Sequence, residues 1–272
     1  TNAVRTPFSS STVYSRSTSD ARITIGNRIS WPPCPISKKS IRLTLAPMPS
    51  ATSVITTASR GTRLTATGIN ERPPMPIAST TLKTIAGLVA PMSGEILFDG
   101  EEIAGLPGNQ VARRGISLVS EAMNLFVNMT VQENLAMGAY TIRDKRAVKD
   151  RLEFVYDLFP RLVERRNQLA GTMSGGERKM LAIGRRLMPN PKLLLVDEPS
   201  FGLAPILTES VFQSLDTLVQ RGVTIMLVEQ NVTKTLAVTD RGYVLENGRI
   251  ELSGKSSDLA CDAHVRKVFL GV

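Results

Sequence analysis

Residues 171–205, GTMSGGERKMLAIGRRLMPNPKLLLVDEPSFGLAP, decide the fold of this chain of 272 residues. The tetrapeptide SGGE at residues 174–177 opens an amphipathic run, and the free N–H groups at a helix N-terminus form an anion-binding site. The apolar run at residues 193–196 then predicts a buried strand that ends at two adjacent carboxylates, Asp197 and Glu198. Such a pair suits a metal ion and a water molecule.

Each piece alone has a simpler interpretation, because SGG is common in turns and a buried strand commonly reaches solvent at an acidic residue. Their joint occurrence, with SFGLAP directly after, favours a functional interpretation instead. In these residues the sequence resembles the ATP-binding subunits of ABC transporters. Residues 172–177 resemble the signature motif, residues 193–198 resemble Walker B, and residues 200–205 resemble the D-loop.

The composition is that of an ordinary globular protein, with 42% hydrophobic residues. No apolar run approaches the roughly 18 residues that a membrane-spanning helix needs. Two cysteines, Cys34 and Cys261, and one histidine, His264, form neither a disulfide framework nor a zinc site by their spacing. A reducing compartment fits this cysteine usage.

The net charge of +9 comes almost entirely from residues 1–80, which hold ten Lys/Arg against Asp20 and Glu71. The same residues include 26 Ser/Thr and nine of the sixteen prolines, without helical or strand periodicity. We therefore predict that residues 1–78 are a disordered segment outside the family domain. Three origins stay open: a transit peptide, a nucleic-acid-binding tail, and sequence foreign to the family through a frameshift, fusion or assembly error. The tail lacks the aromatic residues that base stacking needs, so we expect no nucleic-acid partner.

The family resemblance begins abruptly at residues 79–88, STTLKTIAGL, which resemble the helix that follows the phosphate loop G-x-x-x-x-G-K-[ST]. This alignment puts Ala78 in the place of the phosphate-binding lysine and PPMP, residues 73–76, in the place of the loop. Prolines have no N–H to donate, and bulky residues disfavour the positive φ angles of an anion nest. We therefore expect that this loop, Walker A, is absent.

From residue 79 onward, strands and helices alternate, which predicts an α/β fold. The resemblance implies a P-loop NTPase-like ABC ATPase domain over residues 79–272, with a mostly parallel sheet and a helical subdomain inserted at about residues 121–170. That subdomain would carry the groove for a coupling helix of a transmembrane subunit. Glu121 and the tripeptide EQN at residues 229–231 resemble the ATPases of branched-chain amino acid importers, whereas most relatives have Gln and His at the places of Glu121 and Gln230.

The resemblance also implies roles for particular residues. Asp197 would hold Mg²⁺ through water, Glu198 would polarise the attacking water, and Gln230 would contact the γ-phosphate as a second catalytic residue. Ser79 matches the Mg²⁺-binding hydroxyl of the family. The nucleotide-binding residues implied are Ser79, Thr80, Glu121, Ser174, Gly175, Gly176 and Glu177, of which the last four complete the site of a partner subunit.

The function expected is the ATP-binding and hydrolysing subunit of an importer for branched-chain amino acids, impaired because Walker A is absent, with ATP and Mg²⁺ as cofactors. The implied partners are transmembrane permease subunits, a second ATP-binding subunit and, indirectly, a periplasmic binding protein, which place the chain peripherally on the cytoplasmic face of the inner membrane. Two alternatives stay open: the ATPase of a urea or amide importer, and a non-hydrolysing or regulatory relative. A non-transport ABC ATPase acting on nucleic acid or ribosomes is disfavoured, because those usually carry two cassettes.

Overall fold

The computed structural model describes residues 77–246 and 248–265, together with the backbone of four short strands nearer the N-terminus. Its elements follow one another as β1 Ile23–Thr24, β2 Lys39–Leu43, β3 Ser53–Ala58, β4 Thr62–Ala66, α1 Ile77–Ile85, β5 Leu97–Phe98, β6 Glu101–Glu102, α2 Gly108–Arg113, β7 Ile116–Val119, α3 Val131–Gly138, α4 Lys145–Leu158, α5 Pro160–Glu164, a 3₁₀ turn Ala170–Thr172, α6 Gly175–Leu187, β8 Leu193–Asp197, α7 Pro205–Gln220, β9 Ile225–Glu229, α8 Val232–Ala237, β10 Arg241–Glu246, β11 Arg249–Lys255, α9 Ser256–Cys261 and α10 Ala263–Val265.

A mixed six-stranded sheet with the order β11-β10-β3-β9-β8-β7 forms the centre of the fold. Strands β7, β8 and β9 pair in parallel. Strand β3 pairs antiparallel with both β9 and β10, and β10 forms an antiparallel hairpin with β11. The α/β class is confirmed. The sequence predicts a mostly parallel sheet, and two of the five strand pairs in this sheet are parallel; both lie among the three strands that carry the candidate site.

Strands β8 and β9 are unbroken apolar runs because the sheet is covered on both faces. Alternate residues of β8 belong to two separate hydrophobic clusters: Leu193 and Leu195 pack with α1, whereas Leu194 and Val196 pack with α6 and α7. Both strands are fully buried along their whole length. Helices on the two faces can therefore reach the same strand ends.

Helices α3, α4 and α5 lie between β7 and the 3₁₀ turn, where the sequence predicts an inserted helical subdomain. Helix α3 begins at Val131 because Thr130 and Glu133 form a capping box, although apolar residues at helical spacing already start at Phe126. Phe126 instead bonds through its backbone to the buried side chain of Asn134. Among the residues described, no helix is long and apolar enough to cross a lipid bilayer.

Four strands lie inside residues 1–78, the segment for which the sequence predicts disorder. Strand β3 occupies a position within the central sheet, and β1, β4 and β2 pair as a separate three-stranded sheet. These pairings differ from the expected lack of structure, and so do the last two residues of the segment, which begin α1. The remaining residues of the segment lie outside the described residues. The predicted domain boundary near Ser79 therefore stays a prediction.

Candidate functional site

Three acidic residues meet at the carboxyl edge of β8 and β9. Asp197 ends β8 and Glu229 ends β9, and the parallel register sets Asp197 opposite Val228. Glu198 follows directly and donates its backbone N–H to the Val228 carbonyl at 2.9 Å. The carboxyl edge of parallel strands is where open α/β sheets bind their ligands.

Ser79 reaches this edge from the first turn of α1. Its hydroxyl donates to Oδ1 of Asp197 at 2.6 Å, and both side chains are buried. Burial raises the pKa of the Asp197 carboxyl above its ordinary value, and the Ser79 hydrogen bond opposes this rise. The second oxygen, Oδ2, is also buried and has no hydrogen-bond partner among the residues described. Such an oxygen is free to accept from a water molecule or to face a cation.

Glu198 adopts a left-handed backbone conformation, with φ of 44°. A residue other than glycine is strained there, and such strain concentrates at functional sites. Gln230 lies close by, because its side-chain amide donates to Oε1 of Glu198 at 3.0 Å. Burial raises the pKa of the Glu198 carboxyl, and the Gln230 hydrogen bond opposes this shift. A raised pKa makes the carboxylate a stronger base toward a water proton.

Glu229 ties together the two loops that leave β8 and β9. Its buried carboxylate accepts the backbone N–H of Ser200 at 2.7 Å and that of Gln230 at 3.1 Å. Carboxylate bonds to backbone N–H groups are charge-assisted and therefore strong. The loop after Walker B and the loop that carries Gln230 are consequently held to one another through Glu229.

Glu229 and Lys179 are two residues of this site that the sequence analysis did not select. Lys179 is buried on α6, and its ammonium donates to the backbone carbonyl of Glu198 at 3.2 Å. The sequence contains a pattern that could have indicated each of these two residues. Glu229 ends an apolar strand, as Asp197 does, and Lys179 shares a helical stripe with Ile183 and Leu187 that is otherwise apolar.

The predicted anion site lies at the N-terminus of α6. Ser174 is the N-cap and forms a capping box with Glu177, whose carboxylate also pairs with Arg165. Gly175 and Gly176 occupy the first helical positions, where backbone N–H groups lack intrahelical partners. A Cβ on Gly176 would lie 3.0 Å from two methyl carbons of Leu207, so the tight packing there favours glycine.

Thr80 and Glu121 are also predicted to bind nucleotide, and both lie near the acidic cluster at the ends of β8 and β9. Thr80 follows Ser79 in α1, and its backbone carbonyl accepts the hydroxyl of Thr84 at 2.9 Å. Glu121 has an exposed side chain just beyond β7, and its backbone carbonyl lies 3.5 Å from the ammonium of Lys179. The structure thus brings Ser79, Asp197, Glu198 and Gln230 into one cluster, with Glu121 beside it.

The predicted loss of the phosphate loop concerns residues 73–76, which lie outside the described residues. Ala78, in the place of the expected lysine, is fully buried in the hydrophobic core. Strand β3 runs antiparallel to β9, with Val54 opposite Glu229 and Ala58 opposite Ile225. The carboxyl end of β3 therefore lies at the edge of the sheet away from Asp197, whereas a P-loop requires a strand that leads into the site.

The fold, the Walker B pair and the capped signature helix define an ATP-binding subunit of the ABC transporter class, and comparisons with known proteins agree. The model of the ABC transporter family matches residues 78–201. The high-affinity branched-chain amino acid transport ATP-binding protein BraG of Pseudomonas aeruginosa is 49% identical over 193 residues, which are 71% of this chain and 82% of BraG. The chain therefore belongs to the ABC transporter family as an ABC-type ATPase.

Two further relatives show how far the sequence similarity extends. A probable branched-chain amino acid transport ATP-binding protein LivF of Archaeoglobus fulgidus is 39% identical over 195 residues, covering 71% of this chain and 82% of LivF. The lipopolysaccharide export system ATP-binding protein LptB of Escherichia coli is 32% identical over 195 residues, covering 71% of this chain and 80% of LptB. The similarity thus extends to an export system.

Solved structures support the fold. The ADP conformation of MJ1267, an ATP-binding cassette of an ABC transporter, superposes with a TM-score of 0.64 at 23% identity, covering 81% of this chain and 99% of MJ1267. CbiO1 of Clostridium perfringens, part of an ABC transporter complex, gives a TM-score of 0.62 at 23% identity over 78% of this chain and 88% of CbiO1. At this level of identity the two structures establish the shared fold alone.

Proposed function

We propose that this chain is the ATP-binding subunit of an importer for branched-chain amino acids and that its own ATP site is impaired. The observation that carries the ATPase assignment is the buried cluster in which Ser79 bonds to Asp197 and Gln230 bonds to Glu198. In the family resemblance, Ser79 matches the Mg²⁺-binding hydroxyl, Asp197 and Glu198 match the Walker B pair, and Gln230 matches the residue that contacts the γ-phosphate. Their chemistry is oxygen-rich and acidic, as a magnesium nucleotide requires.

Asp197 and Ser79 are the residues that would hold Mg²⁺. The buried Oδ2 of Asp197, which lacks a partner among the described residues, fits a cation or its bound water. In the described part of the chain no group of three or more His, Cys, Asp and Glu could hold a metal ion. Magnesium commonly takes one or two carboxylates together with substrate phosphates, so this donor set suits it. When bound, the ion would neutralise charge on the phosphate oxygens.

Glu198 and Gln230 would act on the attacking water. The Glu198 carboxylate would accept a proton from this water, and burial, which raises the pKa of this carboxyl, favours that role. The Gln230 amide orients the Glu198 carboxylate and can donate a hydrogen bond to a phosphate oxygen, although it cannot carry a proton. This pair therefore supplies orientation and a base.

At the position that the resemblance gives to the phosphate-binding lysine stands Ala78, whose side chain has no donor and is buried in the core. This supports the proposal of impaired ATP binding. Each charge-assisted contact that a phosphate loop supplies contributes roughly 1.5 to 3 kcal/mol, so the loss of several weakens binding by orders of magnitude. We expect isothermal titration calorimetry of the isolated chain to give no micromolar MgATP binding; a micromolar Kd would contradict the proposed impairment.

A chain without its own phosphate loop could still complete the site of an intact partner subunit. The N-terminus of α6, with Ser174, Gly175 and Gly176, would face the γ-phosphate bound by that partner, whereas Glu198 would sit in the impaired site. Removal of preorganised donors of this kind costs about 10²-fold or more in rate. In a mixed complex, Ser174→Arg should therefore abolish ATPase activity while Glu198→Gln leaves it nearly unchanged. A larger loss with Glu198→Gln would place the working site in this chain.

We base the proposed substrate on the similarity to BraG and LivF. Glu121 and Gln230 support it, because they resemble the ATPases of branched-chain amino acid importers where most relatives have Gln and His. The ATPase does not contact the transported molecule, so the substrate must be tested in cells. Uptake of labelled leucine and urea in a deletion strain would separate a branched-chain amino acid importer from a urea or amide importer. A strain with normal uptake of both would remove the substrate assignment and leave a regulatory relative as the better alternative.

We also propose that permease subunits and a second ATP-binding subunit are the partners and that a periplasmic binding protein acts indirectly. The chain would then be peripheral on the cytoplasmic face of the inner membrane. Copurification of a membrane protein with the tagged chain from detergent extracts would support this arrangement. Recovery of the tagged chain in the cytosolic fraction alone would count against it.

The boundary of the family domain is a further part of the proposal. Limited proteolysis that leaves a core beginning near residue 79 would support a separate segment at residues 1–78. A core that begins near residue 53 would instead mean that β3 belongs to the stable central sheet.

A further inference from the structure

Lys179 is a buried cation in a position where the helical pattern predicts an apolar residue. It lies on α6 and is only 3% exposed. Its helical stripe continues through Ile183 and Leu187, both fully buried. An ammonium group is costly to bury unless it is paired and hydrogen-bonded, so its partners indicate why the lysine stands there.

The partners of Lys179 are backbone carbonyls on two loops. Its Nζ donates to the carbonyl of Glu198 at 3.2 Å and lies 3.5 Å from the carbonyl of Glu121. Burial lowers the pKa of this ammonium, while the carboxylates of Glu121, Glu229, Asp197 and Glu198 act in the opposite direction. The ammonium is thus surrounded by acceptors, and the nearby carboxylates oppose the effect of burial on its pKa.

The carbonyl that Lys179 binds belongs to the strained residue of the site. Glu198 has φ of 44°, and such a conformation persists only where its surroundings fix it. Its N–H is held by the carbonyl of Val228, and its carbonyl accepts both the N–H of Phe201, at 3.2 Å, and the ammonium of Lys179. Among the described residues, Lys179 of α6 forms the only side-chain hydrogen bond to the Glu198 backbone.

We propose that Lys179 is a positioning residue that fixes the left-handed backbone of Glu198 and thereby aims its carboxylate toward Gln230. The proposal rests on the proposed function in one respect, the role of Glu198 as the base. Because Ser174 caps the same helix, Lys179 also links the position of the signature N-terminus to that of Glu198. A shift of α6 would change the alignment of both.

Three variants of the full chain test this inference. Lys179→Met keeps the length and removes the donor, and Lys179→Arg restores a charged donor at the same position. Arg186→Met is the matched control, because it removes a half-buried cation from the same helix at a residue that is not hydrogen-bonded to Glu198. The readouts are the backbone ¹³C shifts of Glu198, which report φ and ψ, and amide hydrogen exchange at Phe201.

We expect the left-handed shift signature of Glu198 in the unaltered chain, in Arg186→Met and in Lys179→Arg. In Lys179→Met the signature should be lost and exchange at Phe201 should accelerate about tenfold or more. Retention of the signature and of slow exchange in Lys179→Met would overturn the proposal. None of these readouts requires nucleotide, so failure of the proposed ATPase function would appear separately, in the calorimetry and the activity of the mixed complex.

A measurement on the unaltered chain covers the case in which Lys179→Met does not fold. In a ¹⁵N-lysine spectrum, the ammonium protons of Lys179 should exchange with water more slowly than those of the exposed Lys149. Exchange at the rate of Lys149 would show that the ammonium is not held by the Glu198 carbonyl and would overturn the proposal.

Discussion

Replacement of Ser79 by alanine tests the buried bond at the centre of the proposed metal site. The Ser79 hydroxyl donates to the Asp197 carboxylate at 2.6 Å, and a hydrogen bond to a charged group contributes about 1.5 to 3 kcal/mol. Alanine forms helix better than serine by roughly 0.5 kcal/mol, which offsets part of this loss. We therefore expect Ser79→Ala to lower the free energy of unfolding at neutral pH by about 1 to 2.5 kcal/mol.

The pH dependence of this loss separates it from general damage to α1. The Ser79 hydroxyl lowers the pKa of Asp197, so its stabilisation is fully present where Asp197 is ionised and is lost as the pH falls through the pKa of the folded state. The difference in unfolding free energy between the two proteins should therefore shrink in acid. In the same helix Thr84→Ala removes a neutral bond, from the Thr84 hydroxyl to the Thr80 carbonyl, and its effect should not depend on pH.

Urea unfolding curves of the three proteins between pH 4 and pH 8 would measure both effects. For a folded domain of this size, 1 kcal/mol corresponds to a shift of about 2 to 4 °C in Tm, so thermal scans give an independent check. Equal and pH-independent losses for Ser79→Ala and Thr84→Ala would refute the charge-assisted bond to Asp197. Ser79→Thr, which keeps a hydroxyl, should recover part of the stability if the bond is real.

Two other predictions concern close packing and the loop connection at Glu229. Gly138→Ala should destabilise the fold by about 1 to 3 kcal/mol, because its Cβ would overlap a rigid backbone atom, the carbonyl oxygen of Arg185. Gly184→Ala should cost less, since its closest neighbour is a side-chain methyl group of Val155 and alanine favours the helix; equal losses in thermal melts would contradict this. Glu229→Gln should lower the free energy of unfolding by about 1 to 3 kcal/mol, because its amide would face a backbone N–H donor. Glu209→Gln, at an exposed ion pair, is the control expected to leave the stability nearly unchanged, and an equally small effect at Glu229 would count against its role.

The sequence was sufficient to predict the fold class and most of the Walker B site. The apolar run before Asp197 predicts a strand buried on both faces, and the structure has this strand as β8. SGGE predicts a capped helix start, and Ser174 and Glu177 form that capping box. These features depend on neighbours a few residues apart, so periodicity, capping preference and motif spacing are enough to identify them.

The family motifs also predicted that Ser79, Asp197, Glu198 and Gln230 belong to one site, and the structure brings these residues into one cluster. Their residue types are characteristic of magnesium nucleotide chemistry. The order of the motifs along the chain indicated that these distant residues belong together, which local patterns alone could not do. The predicted loss of the phosphate loop is different in kind. It rests on residues that match nothing in the family, and a missing resemblance does not specify which structure stands in its place.

Only the tertiary structure showed how Glu229 and Lys179 hold the site. Glu229 bonds to the N–H of Ser200, 29 residues away in the chain, and Lys179 bonds to the carbonyl of Glu198, 19 residues away. A side chain that binds a distant backbone atom leaves no spacing pattern, because the backbone groups it binds are the same for every residue. The left-handed conformation of Glu198 is likewise seen only in the structure. The sequence by itself therefore determined which chemical groups gather at the strand ends, and the packing of α1 and α6 on opposite faces of the sheet decided how they are held.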